Sequence, residues 1–287
     1  MRVLVAIPHY FRHEGRHEPE NHSHGSLAGK LAPRVAALTA SITALHQLYG
    51  RAQRIIDQTS LRALPANAPR GGDLDVVVCT TGDHHLVPRL SLAGGSFRHH
   101  GTACPPMLLG FECHAVLRDG IDRYDFFAYL EDDLICRDPW FFAKLAWFNS
   151  HLGDEVLLQP NRYEVQALGF VSKAYIDGDI ARNLTARYQN TDETPQLSSS
   201  VLGVSVRFCR PANPHAGCFF LNARQMAHWA AQPYFLDHET GFIGPLESAA
   251  TLGIMRTFRV YKPAVENASF LEIEHYGTSF ISQLRLR

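Results

Sequence analysis

The sequence has no excess of charge of either sign. Its 27 Lys and Arg residues are balanced by 28 Asp and Glu residues, so the formal net charge is −1. A protein that binds duplex nucleic acid must neutralise many phosphates, and this balance therefore argues against a nucleic-acid partner. No stretch approaches the ~20 apolar residues that a membrane-spanning helix needs, so the sequence predicts no transmembrane segment.

Several common motifs are also missing. None of the 6 cysteines forms a C-x-x-C pair, which excludes zinc ribbons and thioredoxin-like sites. Several cysteines lie in apolar runs, where the side chain behaves as a small hydrophobe; this predicts reduced thiols and a cytoplasmic protein, with peripheral attachment to the inner membrane face as a variant. There is no P-loop and no G-x-G-x-x-G, so kinase-type and dinucleotide-binding folds lack support. The first ten residues lack a signal-peptide cleavage region and predict a first strand that ends at Pro8.

Apolar runs and helical stripes alternate through the first half of the chain. Residues 2–7, 74–79 and 125–130 are apolar runs typical of buried strands. Apolar side chains recur at helical spacing from Val35 to Tyr49, with Pro33 in the first turn and Gly50 after the last. This alternation predicts one α/β domain over residues 1–287, with a mostly parallel central sheet, helices on both faces and a more irregular C-terminal half.

Other segments give more local predictions. Asp138 and Pro139 predict the start of a helix, and Asn222 with Gln225 predicts a capping box. Residues 51–72 form a variable-looking segment with two prolines and a Gly-Gly pair. Residues 82–107, rich in Gly, His and Pro, predict irregular structure, and the polar residues 189–200 predict a mobile loop.

Three adjacent carboxylates, Glu131, Asp132 and Asp133, follow the apolar run FFAYL. Ligands of open α/β sheets bind at the carboxyl ends of the strands, which is where this run delivers the triplet. Adjacent carboxylates repel one another, and their oxygens suit Mn²⁺ or Mg²⁺, ions that also bind diphosphate. The triplet therefore predicts a binding site for a divalent cation, which in turn binds a diphosphate. The alternative is an acidic turn at a helix N-terminus, where Asp is favoured for electrostatic reasons.

The arrangement resembles the GT-A family of nucleotide-sugar-dependent glycosyltransferases, whose DxD motif ends a mid-chain strand. The segments RVLVAIPHYF, DLDVVVCTTGD and AGCFFLNARQM resemble the first strand with its nucleotide-binding loop, the second strand, and the acceptor-side strand with its helix. The resemblance implies that Asp133 is a metal ligand and that Glu131 or Asp132 holds the ribose or a metal-bound water. It divides the chain into a nucleotide-binding half, about residues 1–135, and an acceptor-binding half, about 136–287.

Histidines are the next candidate ligands. Many metal-dependent members of the family supply a late histidine, and His275 in FLEIEHYGTS is the best candidate. A neutral imidazole beside carboxylates suits Mn²⁺. The first loop is also rich in histidine, with a metal role or a donor-covering loop as alternatives; its members are His9, His13, His17, His22 and His24.

Further residues are candidates for contacts with the nucleotide. Pro8, His9 and Tyr10 follow the first strand, and Thr81 and Asp83 follow the second. An aromatic ring such as that of Tyr10 suits stacking on a base. Three arginines are candidates for pairing with diphosphate or with an anionic acceptor: Arg162, Arg207 and Arg210.

An inverting reaction needs a base that takes the proton of the acceptor hydroxyl. Glu247, near the start of PLESAATLG, resembles the acidic residue of many inverting members, and Asp237 and Glu239 compete with it. The sequence thus predicts a metal-dependent hexosyltransferase-like enzyme of glycan or polysaccharide biosynthesis. It would use a nucleotide-sugar donor and a glycan or lipid-linked hydroxyl acceptor; the oligomeric state stays open. The alternatives are a nucleotidyltransferase and an inactive glycan-binding protein of the same fold.

Overall fold

The computed structural model describes residues 1–12, 31–67 and 72–284. The strands in this part are β1 (Arg2–Pro8), β2 (Arg54–Asp57), β3 (Arg62–Pro65), β4 (Asp73–Thr81), β5 (Arg98–Thr102), β6 (Phe126–Leu130), β7 (Leu134–Ile135), β8 (Val156–Leu158), β9 (Asn161–Val165), β10 (Lys173–Tyr175), β11 (Gln196–Val201), β12 (Val204–Cys209), β13 (Cys218–Asn222), β14 (Arg259–Pro263) and β15 (Glu272–His275). The helices are α1 (Leu31–Tyr49), α2 (Leu109–Arg118), α3 (Phe141–Leu152), α4 (Ala223–Ala230), α5 (Pro245–Glu247) and α6 (Gly253–Thr257).

The centre of the fold is a five-stranded sheet with the order β13-β6-β1-β4-β5. β1 runs parallel to β4 and β6, and β5 runs parallel to β4. β13 is antiparallel to β6. The prediction of a mostly parallel central sheet is therefore confirmed.

Helices cover both faces of this sheet because successive side chains of a strand point to opposite faces. Val3, Val5 and Ile7 of β1 belong to one apolar cluster, which includes the inner sides of α1 and α3. Leu4 and Ala6 belong to a second cluster, with α2 and α4. The predicted α/β class, with helices on both faces, is confirmed.

The C-terminal half contributes smaller sheets, with the orders β10-β9-β15-β7 and β11-β12-β14-β8. A separate two-stranded ribbon consists of β2 and β3. The expectations of irregular structure at 82–107 and of a loop at 189–200 were wrong in part, since these segments contain β5 and part of β11. The variable-looking segment 51–72 contains β2 and β3. Their side chains are largely exposed, so these strands carry no apolar run that the sequence could reveal.

Two helix starts test the capping predictions. Asn222 caps α4 through a capping box with Gln225, as predicted. The predicted start of α3 was wrong by a few residues: the N-cap is Trp140, and Asp138 accepts a 2.8 Å hydrogen bond from the Trp140 N–H. The helix that begins at Pro245 continues through a π-helical turn, Ser248–Leu252, into α6. Within the described ranges, no helix is long and apolar enough to cross a membrane.

Candidate functional site

The acidic triplet lies at the edge of the central sheet where its parallel strands end. β1 ends at Pro8, β4 ends at Thr81 and β6 ends at Leu130. The Glu131 N–H donates a 3.0 Å hydrogen bond to the Gly217 carbonyl, so the pairing of β6 with the segment before β13 extends into the triplet. The three carboxylates are buried or half-buried rather than free in solvent.

Asp132 is held between a histidine and an arginine. It is 4 % exposed, lies 2.5 Å from Nδ1 of His9 and accepts a hydrogen bond from Arg34 of α1. The Nε2 atom of His9 accepts from the N–H of Leu86 at 3.0 Å, so the proton of this ring belongs on Nδ1, which donates to Asp132. Burial raises the pKa of Asp132, but Arg34 and His9 outweigh this and lower it below its ordinary value.

Asp133 is less fully engaged. Its Oδ2 accepts a 3.2 Å hydrogen bond from Arg34. Its Oδ1 is buried and has no hydrogen-bond partner among the described residues. A buried acceptor without a donor is costly, and this oxygen is therefore suited to a ligand.

His275 lies beside Asp133. β15 pairs with β7 so that His275 lies opposite Leu134, and the Tyr276 N–H donates to the Asp133 carbonyl at 2.8 Å. This pairing places Nε2 of His275 at 3.7 Å from Oδ2 of Asp133. The other ring nitrogen, Nδ1, lies 2.8 Å from Oε1 of Glu164.

Glu164, in β9, is a fully buried carboxylate that sequence reasoning missed. Besides contacting His275, it accepts hydrogen bonds from the backbone N–H groups of Phe280 and Ile281, at 2.9 and 2.7 Å. A carboxylate that holds Nδ1–H of a histidine fixes the tautomer and aims Nε2 at a ligand. Nε2 of His275 is therefore directed towards Asp133.

Glu131 lies next to a network of buried charged side chains. Its Oε2 lies 3.7 Å from Arg162, whose guanidinium also lies 2.7 Å from Oδ1 of Asp177. Lys262 lies 3.1 Å from Oδ2 of Asp177. Arg162 is thus engaged inside the protein, which leaves its predicted pairing with a diphosphate or an anionic acceptor without direct support.

The backbone at Gly217 allows Glu131 to reach this position. Gly217 has a φ of +62°, a left-handed conformation that favours glycine. A Cβ atom there would lie 2.5 Å from Oε2 of Glu131 and 3.1 Å from Arg162. The absence of a side chain at Gly217 therefore leaves the space that Glu131 and Arg162 occupy.

Burial and the neighbouring acidic side chains change the pKa of Glu131. Burial raises its pKa to about 8, opposed by Arg162 and reinforced by Asp133, Glu247 and Asp132. Glu247 in α5 therefore lies within electrostatic range of the triplet, and it is half-buried. This is the only observation that connects any of the three candidate bases with the triplet in the described part of the chain.

The competing candidate bases make other contacts. Asp237 pairs with Arg256 at 3.0 Å. Glu239 accepts a 2.7 Å hydrogen bond from the Gly241 N–H. Both side chains belong to exposed residues, and no described contact joins them to the triplet. All three assignments stay predictions.

The predicted nucleotide contacts cluster around the ends of β1 and β4, and they also stay predictions. Pro8 is buried, and Asp83 lies exposed in the turn after β4. The Thr81 hydroxyl donates to the Cys104 carbonyl, and the Tyr10 ring lies 5.5 Å from that of His84. The remaining histidines of the first loop lie outside the described residues: His13, His17, His22 and His24.

The described residues by themselves supply too few ligands to hold a divalent ion. Among the described residues, no group of three or more His, Cys, Asp or Glu side chains is placed to hold a metal. Asp133 and His275 supply a buried unpartnered oxygen and an oriented ring nitrogen. Ions such as Mg²⁺ are commonly bound by one or two carboxylates plus substrate phosphates and water, so the pair fits an ion that arrives with a phosphate.

Comparison with known proteins gives only distant similarities. No family model and no curated protein matches the chain. Among solved structures, S. aureus TarS is similar at 9 % identity and a TM-score of 0.43, covering 97 % of this chain and 37 % of TarS. M. tuberculosis glucosyl-3-phosphoglycerate synthase is similar at 13 % identity and a TM-score of 0.41, covering 100 % of this chain and 73 % of that protein.

A second structure of the M. tuberculosis synthase, in complex with Mn²⁺, UDP and phosphoglyceric acid, is similar at 11 % identity and a TM-score of 0.36, covering 78 % of this chain and 56 % of that one. This chain spans about a third of the length of TarS. Similarities at TM-scores below 0.5 carry neither an activity nor a residue's role to this chain, so the function has to be argued from the site itself.

Proposed function

We propose that this protein is a glycosyltransferase that moves a sugar from a nucleotide diphosphate to a hydroxyl acceptor, assisted by Mn²⁺ or Mg²⁺. The observation that carries the proposal is the pairing of Asp133 and His275 at the carboxyl edge of a parallel sheet. Ligands of α/β sheets bind at this edge. Here it presents a buried carboxylate oxygen that has no hydrogen-bond partner in the described part of the chain, beside a histidine whose second nitrogen is held by Glu164.

Asp133 and His275 would hold the cation, which when bound neutralises the charge that develops on a diphosphate leaving group. Glu164 keeps Nε2 of His275 aimed at this position. Arg34 donates to both Asp132 and Asp133. It thereby limits the repulsion within the triplet and holds the turn in place.

In this proposal, Glu247 removes the proton of the acceptor hydroxyl. It is half-buried, lies in the first turn of the helix that begins at Pro245 and acts electrostatically on Glu131. A base within range of the diphosphate-binding position can take the hydroxyl proton as the acceptor oxygen attacks the anomeric carbon. The acceptor-binding half then corresponds to the region after about residue 136.

The first test is thermal melting with UDP, GDP and CMP, each with and without Mn²⁺. A ligand that binds only the folded state stabilises it, by about 2.7 kcal/mol at a hundredfold excess over Kd. We expect a nucleoside diphosphate to raise the Tm by a few degrees when Mn²⁺ is present and by much less without it. Asp133→Asn should remove the Mn²⁺-dependent part of the shift.

The matched control is Asp192→Asn, because Asp192 is an exposed residue whose described ion pair is with Arg182. This variant should keep the full shift. A Tm that responds to none of the nucleotides with Mn²⁺ would favour an inactive binding protein. Release of pyrophosphate from a nucleoside triphosphate and a sugar phosphate would instead identify a nucleotidyltransferase.

A further inference from the structure

The ribbon of β2 and β3 is largely exposed to solvent. It connects α1 to β4, and within the described residues it pairs with no other strand. Ile55, Ile56 and Leu61 are 61, 60 and 78 % exposed. A large side chain exposed singly is normal, but a cluster of such side chains marks an interaction surface.

The apolar side chains occupy both faces of the ribbon. Ile55 lies directly opposite Leu64, so these two share one face, and Ile56 lies opposite Ala63 on the other. Leu61 lies in the turn with a φ of +54°. A docked protein surface would cover one face and leave the other in water, whereas a lipid interface surrounds the ribbon.

The ribbon has little that stabilises it alone. A two-stranded hairpin is marginally stable in water unless it packs against further structure. All residues of β3 and all but one of β2 are exposed. Contact with a further surface would therefore stabilise this segment.

The charge of the ribbon indicates what that surface is. Residues 51–67 contain Arg51, Arg54 and Arg62 against a single acid, Asp57. Arg51 also pairs with Asp73 of β4 at 2.7 Å, so Arg54 and Arg62 supply the positive charge of the ribbon itself. The segment is thus positive in a chain whose formal charge is −1. Basic side chains flanking apolar ones are attracted to anionic lipid headgroups. In a symmetric pairing with a second copy, the same arginines would repel one another.

The polar groups of the turn are satisfied locally, which suits shallow entry into headgroups. Asp57 accepts hydrogen bonds from the N–H groups of Thr59 and Ser60, at 2.9 and 3.3 Å, and from the Ser60 hydroxyl at 2.7 Å. These groups therefore keep hydrogen-bond partners when lipid headgroups replace the surrounding water.

We propose that the β2–β3 ribbon docks this protein on an anionic lipid surface. The proposal is independent of the proposed glycosyl transfer, because the ribbon joins the amino end of β4 and the acidic triplet lies at the carboxyl edge of the sheet. β4, whose nine residues separate these two edges, is about 30 Å long. Changes in the ribbon should therefore leave nucleotide binding unaltered.

The test is co-sedimentation of the full chain with vesicles of phosphatidylglycerol and phosphatidylcholine in equal parts, and with vesicles of phosphatidylcholine alone. We expect binding to the anionic vesicles, weakened by added salt because salt screens the attraction, and little binding to the neutral ones. The double variant Ile55→Ser with Leu64→Ser should weaken binding by ~10-fold or more. Arg62→Glu should weaken it by ~10-fold.

The matched control is Leu202→Ser, since Leu202 is 100 % exposed on the turn between β11 and β12. It should bind vesicles like the unaltered protein, and the Tm of each variant shows that it is folded. Equal binding by the ribbon variants, or no binding to anionic vesicles, would overturn the proposal. Concentration-dependent self-association that the double variant abolishes would also overturn it and make the ribbon a contact between copies.

Discussion

The Nε2 atom of His275 lies 3.7 Å from Oδ2 of Asp133, although the two residues are far apart in the sequence. The pairing of β15 with β7 brings them together. On the far side of the ring, Glu164 is fully buried and fixes Nδ1. The orientation of the histidine is therefore set by the protein before any ligand arrives.

Glu164→Gln tests this orientation. The amide keeps the shape of the side chain but removes the charge that holds the ring, so Mn²⁺ affinity should fall by ~10-fold to 100-fold. Calorimetric titration of Mn²⁺ in the presence of UDP measures the effect. Glu272→Gln is the control, because Glu272 lies on β15, the strand of His275, but pairs with Lys173 and Tyr175. Equal Mn²⁺ affinities in all three proteins would remove Glu164 from the site.

Glu247→Gln tests the assignment of the base. The variant should lose turnover by about 10²- to 10⁴-fold, as expected when a general base is removed, while the nucleotide-induced shift in Tm is kept. Asp237→Asn and Glu239→Gln should retain most of the activity. A large loss in either of these, with normal turnover in Glu247→Gln, would move the base to the loop before α5.

Asp177→Asn tests the buried charge network. It leaves Arg162 and Lys262 without their shared carboxylate, and breaking a buried ion pair costs about 3–5 kcal/mol. Urea unfolding should show a loss of this size, against less than about 0.5 kcal/mol for a surface change such as Asp192→Asn. Lys262 and Arg162 overcome burial and hold the pKa of Asp177 below its ordinary value. This contribution to stability is therefore complete above about pH 4 and is lost as the pH falls further.

His114 predicts a second pH dependence. Burial lowers its pKa to about 3, and its Nε2 donates to the Ala249 carbonyl at 3.0 Å. At a pH between this value and the ordinary histidine pKa of about 6.5, His114 is protonated in the unfolded chain but stays neutral in the folded chain. Stability should therefore fall as the pH drops below about 6.5, by about 2 kcal/mol from this residue at pH 5.

His114→Gln keeps a donor for Ala249 and removes the titration. The difference in unfolding free energy between pH 7.5 and pH 5 should shrink by about 2 kcal/mol in this variant. Urea unfolding at the two pH values provides the measurement. An unchanged difference would show that the acid sensitivity of the protein comes from other groups.

Local patterns were sufficient for much of the fold. The apolar runs of β1, β4 and β6 and the helical stripe of α1 are visible because each buries a regular set of side chains. The capping box at Asn222 is visible because its two partners lie within one turn. β2, β3, β5 and part of β11 escaped prediction because they are exposed, and their pairing partners rather than their composition make them strands.

The same distinction holds for the candidate site. By itself the sequence determined that three carboxylates follow a buried strand and that a late histidine follows another. Only the tertiary structure decided that Arg34 and His9 form hydrogen bonds with Asp132, and that Glu164 orients His275 towards Asp133. These partners come from separate strands and helices. The pairing of segments that are distant in the sequence, which no local pattern encodes, determines which charges meet.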